Sequence, residues 1–532
     1  MATITDVPPR RLSGRGTILL LGVLGLSPFA FALYTNHIWE DFFITFRHSR
    51  NLCEGHGMVY YPGERVHGFT SPLGTLLPAL CYLATGMRSY VGAIWGFRVL
   101  SIAAFALGGL LLWRRMEREE PTRWLPRVAL AVLYALEVKS ASFTINGMET
   151  AFMLMFLAWQ VDLLLRDFPG RWLYLGLCWG GLMWTRPDGC VYIAAMSAVE
   201  ILFSKGSRRR CLVDILKAAA VCTAVYLPWF GGAWWYYGSP VPQTVLAKSN
   251  LVSWTGGGFN PIERYLGGIA KVFLPIYFDM GGGFDWYPGI YHWSAGLGVF
   301  CASYWILPTS DRLGRACSLA FAMLGLYLSL LNYMFPWYAP PALMLGLVVL
   351  ARGVTTLVGV VAGRGRIAAV VAGLILAAIA AERGALYVCT ATQMRVQMAE
   401  VEMGNRARVG DWLKRHMEPG DTVYLECTGY IGYFSDAKIR DWPGLVAPEV
   451  SRLAQKEGRD FYSVVPALRP DWVVLRPWES QRMVERYPTF LQAYRVAAQF
   501  DVTPKIQAVD FLPGRMYLMN DAVFNIFQRI KH

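Results

Sequence analysis

Long apolar runs separated by short basic blocks dominate this sequence. The runs are roughly 15 to 20 residues long, which is close to the length an α-helix needs to cross the hydrocarbon core of a bilayer. Hydrophobic residues make up 55% of the chain and charged residues only 16%. The mean hydropathy is +0.34. This pattern predicts a polytopic α-helical membrane protein and makes a soluble globular fold improbable.

The charge pattern favours a membrane topology over nucleic-acid binding. The formal net charge is +13, but Lys and Arg gather in short blocks between apolar runs, as the positive-inside rule predicts. Arg10, Arg11 and Arg15 precede the first run, which we interpret as an uncleaved span that starts in the cytoplasm. The ten Cys are scattered singly, a pattern that indicates neither a zinc site nor a disulfide framework.

Applying the positive-inside rule along the chain predicts about eleven spans. They lie near residues 17–34, 91–113, 128–144, 150–165, 172–184, 190–204, 212–230, 295–307, 316–333, 338–352 and 366–385. The apolar run 71–87, SPLGTLLPALCYLATGM, is predicted to be a helix at the membrane interface. Counting this run as a span would place the basic residues Arg114 and Arg115 outside.

The sequence predicts two domains. Residues 1–385 form the membrane domain, with an outer loop at 35–90. From residue 386 to residue 532, short β-rich runs alternate with Gly/Pro turns and amphipathic helix patterns. This second part is predicted to be a soluble α/β domain on the extracytoplasmic side.

Five polar or aromatic segments fall on the same predicted outer face. They are WEDFFITFRHSR (39–50), NGMET (146–150), TRPDG (185–189), WWYYGSPVPQTVLAKSN (234–250) and NYMFPWYAPP (332–341). Their agreement predicts one composite site on that face. Glu149, Arg186 and Asp188 stand at span ends, where charge is costly and often functional. Interfacial snorkelling and helix capping are the structural alternatives for each of them.

The first outer loop carries a family resemblance. Glu40-Asp41 after the first span, followed by RNLCEGHGMVYYPGERVHGFTSPL, resembles the first outer loop of the GT-C membrane glycosyltransferases. The branch it resembles contains the mycobacterial terminal β-arabinofuranosyltransferase. The segments NGMETAF, TRPDG, YYGSPVPQT and FPWY follow in the same order as that branch's motifs. GYIGYFSDAKIRDWPGLVAPEV resembles its outer carboxy-terminal domain, so the resemblance covers most of the chain.

The resemblance implies an inverting-type sugar transfer in the bacterial inner membrane. The donor would be a polyprenyl-phosphate sugar, with arabinofuranose as one candidate sugar, and the acceptor a cell-envelope glycan, lipid or protein. A carboxylate can take the proton of the attacking hydroxyl, and Asp41 is our choice for that base. Glu40 would orient the acceptor or raise the pKa of the pair. Helix capping is the structural alternative for both acids.

The leaving phosphate requires cations. The candidates for binding it are Arg47, Arg50, Arg186 and Lys248. Arginine can hold phosphate oxygens bidentately, and lysine supplies a point charge. For Arg47 and Arg50, pairing with Glu54 on one helical turn is an equally good interpretation.

Aromatic and acidic residues near the motifs are candidates for substrate binding. They are Glu149, Asp188, Tyr237, Trp337, Tyr338, Tyr430 and Tyr433. The last two are expected to line an acceptor groove in the outer domain. For the membrane aromatics, an ordinary interfacial belt is the alternative.

Two other function classes remain open from the sequence. A transporter or flippase of lipid-linked saccharides would also have many spans, although paired halves with broken helices are not evident. A non-catalytic assembly or sensor protein would leave the acidic loop unused. No cofactor is indicated; a divalent metal is possible, but two adjacent acids are too few to define a site. The sequence specifies neither the sugar nor the acceptor.

Overall fold

The computed structural model describes residues 12–120, 124–204, 206–248, 260–281, 287–331, 334–362 and 366–531. Some residues that the topology prediction uses lie outside these described residues. They are Arg10, Arg11, Arg123, Lys205, Arg364 and His532.

Helices predominate among the described residues up to residue 416. Their bounds are Gly14–Thr35, Glu40–Cys53, Pro72–Ala84, Tyr90–Glu119, Leu125–Ala135, Val138–Ile145, Thr150–Leu163, Arg171–Thr185, Gly189–Phe203, Arg208–Tyr237, Gln243–Lys248, Pro261–Phe273, Ile290–Ser303, Arg312–Leu330, Ala339–Ala362, Arg366–Val396 and Ala407–His416. Single 3₁₀ turns lie at Tyr304–Ile306 and Pro336–Tyr338, and a π-helical segment at Gln397–Arg406. Each predicted span coincides with a helix, although the third is broken into two pieces bent by 52°.

The predicted count of about eleven spans is not confirmed. Within the described ranges, six helices are long and apolar enough to cross a membrane, or seven if the bent pair is one span. They are Gly14–Thr35, Tyr90–Glu119, Arg208–Tyr237, Arg312–Leu330, Pro336–Thr356 and Val370–His416. Other predicted spans, such as Thr150–Leu163 and Gly189–Phe203, are apolar helices of only 14 and 15 residues.

One helix lies where the sequence indicated only a long outer loop. Helix Pro261–Phe273 packs against helices Ile290–Ser303 and Arg312–Leu330, and its residues Gly268, Ile269 and Ala270 are buried. The segment contains Glu, Arg and Lys, so its mean hydropathy is too low to predict a span. Its apolar residues lie on one side, which is sufficient for packing.

Two glycines allow close packing between helices Arg171–Thr185 and Arg208–Tyr237. A Cβ atom on Gly176 would lie 2.6 Å from the carbonyl oxygen of Ala218, and one on Gly180 would lie 2.6 Å from the side chain of Val225. This is the small-xxx-small spacing that brings membrane helices together.

A five-stranded mixed sheet follows the helices. Its strands are β1 (Thr422–Leu425), β2 (Lys438–Asp441), β3 (Trp472–Leu475), β4 (Tyr494–Asp501) and β5 (Val523–Arg529). The order is β2-β1-β3-β5-β4, with β1, β2 and β3 parallel and β5 antiparallel to both of its neighbours. Helices Tyr430–Ser435, Pro448–Glu457, Val464–Leu468, Pro477–Arg486, Phe490–Ala493, Thr503–Gln507 and Arg515–Asn520 connect them. Residue 386 falls inside helix Arg366–Val396, and the domain boundary there remains a prediction.

The sheet region rests on helix Glu40–Cys53. Phe43 of this helix packs edge-on against Tyr430, with ring centres 4.5 Å apart. The hydroxyl of Tyr430 donates to the carbonyl of Ile38, and the hydroxyl of Tyr60 donates to the carbonyl of Thr428. These contacts bring the acidic start of helix Glu40–Cys53 against the loop that follows β1.

Candidate active site

The two acids of the first loop open helix Glu40–Cys53. Trp39 is extended, and its N–H donates to the carbonyl of Asn146 over 2.8 Å, so the second predicted motif lies directly beside the acids. Glu40 and Asp41 occupy the first helical turn, where the helix dipole favours negative charge. Buried Phe42 and Phe43 hold the turn in place.

Asp41 has an open carboxylate. It is half-buried, and it makes no hydrogen bond or ion pair with any residue that the structure describes. Burial raises the pKa of Asp41 above its ordinary value, and the positive charges of Lys248 and Arg186 oppose that rise. A carboxylate in this setting is available to a substrate and is more basic than a solvated aspartate.

Glu40 is held by protein groups. Its Oε2 lies 3.0 Å from Nη1 of Arg406, and its Oε1 accepts a hydrogen bond of 3.3 Å from the N–H of Gly429. Burial raises the pKa of Glu40 to about 8; Arg406 opposes the rise, and the negative charges of Glu402 and Glu426 add to it. Burial thus favours the protonated form of Glu40, while Arg406 and the N–H of Gly429 contact its two oxygens.

Lys248 is the more open of the two cations near Asp41. Its Nζ lies 5.3 Å from the ring centre of Phe335 and 5.6 Å from that of Trp337. No ion pair joins it to a carboxylate among the described residues. These contacts position the ammonium without neutralising it.

Arg186 is already paired. Its Nε and Nη2 bind Asp188 bidentately at 2.9 and 3.1 Å, and its Nη1 lies 3.6 Å from Glu149. Its guanidinium also stands 4.8 Å from the ring centre of Tyr338. Although burial opposes the positive charge, Asp188 and Glu149 hold the pKa of Arg186 well above its ordinary value.

Arg47 and Arg50 lie at the contact with the sheet region. Arg47 is buried and donates to the carbonyls of Gly432 and Ala437 at 2.8 and 3.0 Å. Arg50 pairs with Asp436 at 2.6 Å and more loosely with Glu54 at 3.8 Å. These contacts assign both arginines to the interface with the sheet region, although the Nε atom of each lacks a hydrogen-bond partner among the described residues. Their expected role in binding a donor phosphate stays a prediction.

The aromatic candidates divide into two groups. Trp337 packs edge-on against Trp39 at 5.7 Å between ring centres, and Tyr338 faces Arg186, so both lie at the site. Tyr237 stacks on a histidine, and its hydroxyl donates to the carbonyl of Met58, away from the acids.

The expected acceptor groove at Tyr430 and Tyr433 needs correction. Tyr430 is fully buried against Phe43, and its hydroxyl is used by Ile38. Tyr433 packs against Phe43 and Arg50. The short helix that carries both tyrosines packs on helix Glu40–Cys53, so Tyr430 lies inside this contact, whereas Tyr433 is half-buried.

Sequence reasoning missed a buried ionic network beside Glu40. Arg406 binds Glu40, Glu402 at 2.7 Å and Asp521, and Arg476 binds Asp521 from the other side. Arg476 follows strand β3 directly, where the carboxyl ends of parallel strands meet; that position was a usable signal. No sequence signal marks Arg406, because its neighbours, EVEMGNRARVG, have the pattern of an ordinary charged helix.

The described residues hold no cluster of three or more His, Cys, Asp or Glu side chains that could bind a metal ion. The possible divalent metal therefore has no assigned ligands beyond the two adjacent acids.

Sequence comparisons link parts of the chain to known families. Residues 391–522 match a family described as a domain of unknown function (DUF8728). The terminal β-(1→2)-arabinofuranosyltransferase of Corynebacterium glutamicum is 29% identical over 271 residues, covering 46% of this chain and 38% of the relative. The enzyme of the same name from Mycobacterium tuberculosis is 27% identical over 236 residues, covering 40% and 35%. The chain thus matches less than two fifths of each relative's length.

Solved structures show the fold. ArnT from Cupriavidus metallidurans bound to undecaprenyl phosphate superimposes with a TM-score of 0.53 at 11% identity, covering 97% of this chain and 98% of ArnT. The archaeal oligosaccharyltransferase AglB from Archaeoglobus fulgidus, in complex with an inhibitory peptide and a dolichol-phosphate, gives 0.53 at 13% identity, covering 87% and 70%. The chain therefore has the fold of the GT-C membrane glycosyltransferases and, over part of its length, resembles terminal arabinofuranosyltransferases in sequence.

Proposed function

We propose that this protein is an inverting-type glycosyltransferase that moves a sugar from a polyprenyl-phosphate donor to a hydroxyl of a cell-envelope acceptor. The observation that carries the proposal is the open carboxylate of Asp41 beside two cations, on a GT-C fold. Arabinofuranose is the first sugar to test, because the curated relatives are named for its transfer. The protein acts in the bacterial inner membrane, with the site and the sheet region on the outer side.

Asp41 is the general base in this proposal. The acceptor oxygen forms a bond to the anomeric carbon, the bond from that carbon to the phosphate oxygen breaks, and the acceptor proton passes to Asp41. A carboxylate with a raised pKa suits this step, because its basicity is closer to that required at neutral pH.

Lys248 is the main counter-charge for the leaving phosphate. It has no ion pair among the described residues, and the rings of Phe335 and Trp337 hold it in place. Arg186 reinforces it from a fixed position that Asp188 and Glu149 maintain. Such preorganised cations stabilise charge that develops in the transition state. Lipid phosphates bound to ArnT and AglB support a lipid-phosphate donor.

Glu40 is a positioning residue in this proposal. Its two oxygens contact Arg406 and the N–H of Gly429, so it acts by fixing the helix start and the loop 426–429 that border Asp41. Adjacent acids with different surroundings can thus perform different tasks. We assign Arg47 and Arg50 to the contact with the sheet region, where Arg47 binds two carbonyls and Arg50 binds Asp436.

The test is sugar transfer by purified protein in detergent, with undecaprenyl-phosphate arabinofuranose as donor and an octyl arabinofuranosyl disaccharide as acceptor. Asp41→Asn keeps the side-chain shape but removes the base, so transfer should fall about 10²–10⁴-fold. Donor binding, measured by isothermal calorimetry, should persist. A transporter would move the donor across liposomes without forming a glycosidic bond, and product analysis separates the two functions.

Asp411→Asn is the matched control, because Asp411 is an exposed aspartate on helix Ala407–His416. Its transfer rate should equal that of the wild type. Full activity in a folded Asp41→Asn protein would remove this loop from the catalytic centre.

A further inference from the structure

A second open carboxylate stands opposite the first, on the sheet region. Glu426 follows strand β1, and Arg476 follows the parallel strand β3, so both lie at the carboxyl edge of the sheet. Arg476 Nη2 binds Glu426 Oε2 at 2.6 Å. The other oxygen, Oε1, has no partner among the described residues, and the side chain is 47% exposed. One oxygen is therefore anchored while the other is open.

The anchor itself is rigid. Arg476 is buried, and its remaining nitrogens bind Glu479 at 2.8 Å and Asp521. Glu479 also accepts from the backbone N–H of Arg476 at 2.7 Å, which closes a capping box at the start of helix Pro477–Arg486. Because Arg476 is held by several partners, it fixes the orientation of Glu426 through oxygen Oε2.

This edge of the sheet faces the proposed catalytic acids. The N–H of Gly429, three residues after Glu426, donates to Glu40. A Cβ on Gly429 would lie only 2.2 Å from the carbonyl oxygen of Glu40, so loop 426–429 rests directly on the helix start. Asp521 links Arg476 to Arg406, which binds Glu40. The negative charge of Glu426 also acts on both Glu40 and Asp41.

Charge indicates which substrate Glu426 meets. Arg186 follows helix Arg171–Thr185, and Lys248 ends the short helix Gln243–Lys248, which packs against helix Pro448–Glu457 of the sheet region. Both cations suit the anionic donor phosphate. A carboxylate repels phosphate but accepts strong hydrogen bonds from neutral hydroxyl groups. The open oxygen of Glu426 therefore suits a neutral acceptor hydroxyl rather than the donor phosphate.

We propose that Glu426 binds the acceptor, with its open oxygen accepting a hydrogen bond from a hydroxyl other than the attacking one. The inference rests on the proposed glycosyl transfer and narrows its acceptor to a neutral, polyhydroxylated glycan. Glu426 is a substrate-binding residue here and takes no part in the proton transfer.

The experiment measures transfer rates of the full-length protein while the acceptor and the donor are varied separately. Glu426→Gln retains an oxygen for Arg476 but weakens acceptance of the hydroxyl hydrogen bond. The KM for the octyl arabinofuranosyl disaccharide should rise about tenfold or more, with the donor KM unchanged. Glu457→Gln, at an exposed glutamate of the same region, should leave both values unchanged.

Monodeoxy analogues of the disaccharide provide a test that needs no change to the fold. With wild-type protein, removal of one particular hydroxyl from the disaccharide should raise the acceptor KM as much as Glu426→Gln raises it. In the Glu426→Gln variant, removal of the same hydroxyl should raise the acceptor KM little further, because this hydroxyl and Glu426 form a single interaction. If every analogue raised the acceptor KM by the same factor in the wild type and in the variant, the inference would be overturned.

The remaining outcomes are distinct from one another. An unchanged acceptor KM in a folded Glu426→Gln protein would overturn the inference and leave the proposed function intact. A parallel rise of both KM values with a lower melting temperature would reassign Glu426 to supporting Arg476, which also overturns it. Absence of transfer by the wild type would contradict the proposed function itself for these substrates.

Discussion

Glu40 and Asp41 are adjacent acids on one helical turn, yet their surroundings differ. Glu40 turns towards Arg406 and Gly429 and is enclosed by other carboxylates. Asp41 is acted on by the positive charges of Lys248 and Arg186, and its carboxylate has no hydrogen bond or ion pair among the described residues. Burial raises the pKa of Glu40, the carboxylates of Glu402 and Glu426 add to the rise, and Arg406 opposes it. Asp41 is the base only in the proposed mechanism.

The proton on Glu40 predicts a pH dependence of stability. The pKa of Glu40 is about 8 in the folded protein and about 4.5 when the residue is solvated. As pH rises from about 4.5 to 8, the unfolded chain releases this proton before the folded one, so folding loses stability over that interval. Glu40→Gln cannot ionise and should lose less stability across it. Melting temperatures at pH 5 and pH 8 measure the difference.

Glu485→Gln, at an exposed glutamate, is the control and should change with pH as the wild type does. A Glu40→Gln protein whose melting temperature falls as steeply as that of the wild type would show that Glu40 is ionised in the fold.

Sequence reasoning finds a residue when its neighbours in the chain carry the signal. Asp41 stands out in the sequence as a candidate because the motif of the first loop surrounds it, and its role as the base stays a prediction. The contacts of Arg47 and Arg50 could not be predicted from the sequence, because their partners lie about four hundred residues later. Some of these partners are backbone carbonyls, which every residue type carries. The burial of Tyr430 was hidden for the same reason.

Among the helices, the pair Arg171–Thr185 and Arg208–Tyr237 shows how residue size sets a packing distance. Gly176 faces the backbone of Ala218, which cannot move aside as a flexible side chain could. Gly231 lies on helix Arg208–Tyr237, as Ala218 does, but a Cβ on Gly231 would meet nothing within 4 Å. Packing therefore requires a glycine at position 176 but not at position 231.

Gly176→Ala should lower stability, because the added methyl group forces the helices apart at a cost of about 1–3 kcal/mol. Gly231→Ala should be neutral or slightly stabilising, since alanine favours a helix over glycine. Thermal unfolding in detergent compares the two variants. A stable Gly176→Ala protein would indicate that the helices can separate without loss.

The positions of the helices followed from apolar runs, but their lengths and breaks did not. The break before Val138–Ile145 depends on Glu137, whose side chain caps the new helix by accepting from the N–H groups of Lys139 and Ser140. Helix Pro261–Phe273 was missed because its apolar residues occupy one side only. Hydropathy averaged along a segment cannot register either feature.

At the scale of the molecule, the sheet region and the loop 35–90 are on the same side of the helix bundle. Arg47, Arg50, Glu64 and Tyr60 of the loop all contact the sheet region. Any topology must place these two parts together, whatever the number of spans.

Reporter fusions test that topology. We predict that a reporter fused after His532 is extracytoplasmic and one fused after Arg210 is cytoplasmic, because the basic block SKGSRRR ends a span on the inner side. Alkaline phosphatase and green fluorescent protein fusions at both positions provide the measurement. Signals from the same side would contradict a composite site on one face.

The clamp made by Arg47 also sets an order of events during synthesis. Arg47 leaves the ribosome 385 residues before Gly432, whose carbonyl it will bind. At 5–20 residues per second this interval is roughly 20 to 80 s. Throughout that time the donors of Arg47 have no partner from the sheet region. The contact between the first loop and the sheet region is therefore completed late, after the helices between them have been synthesised.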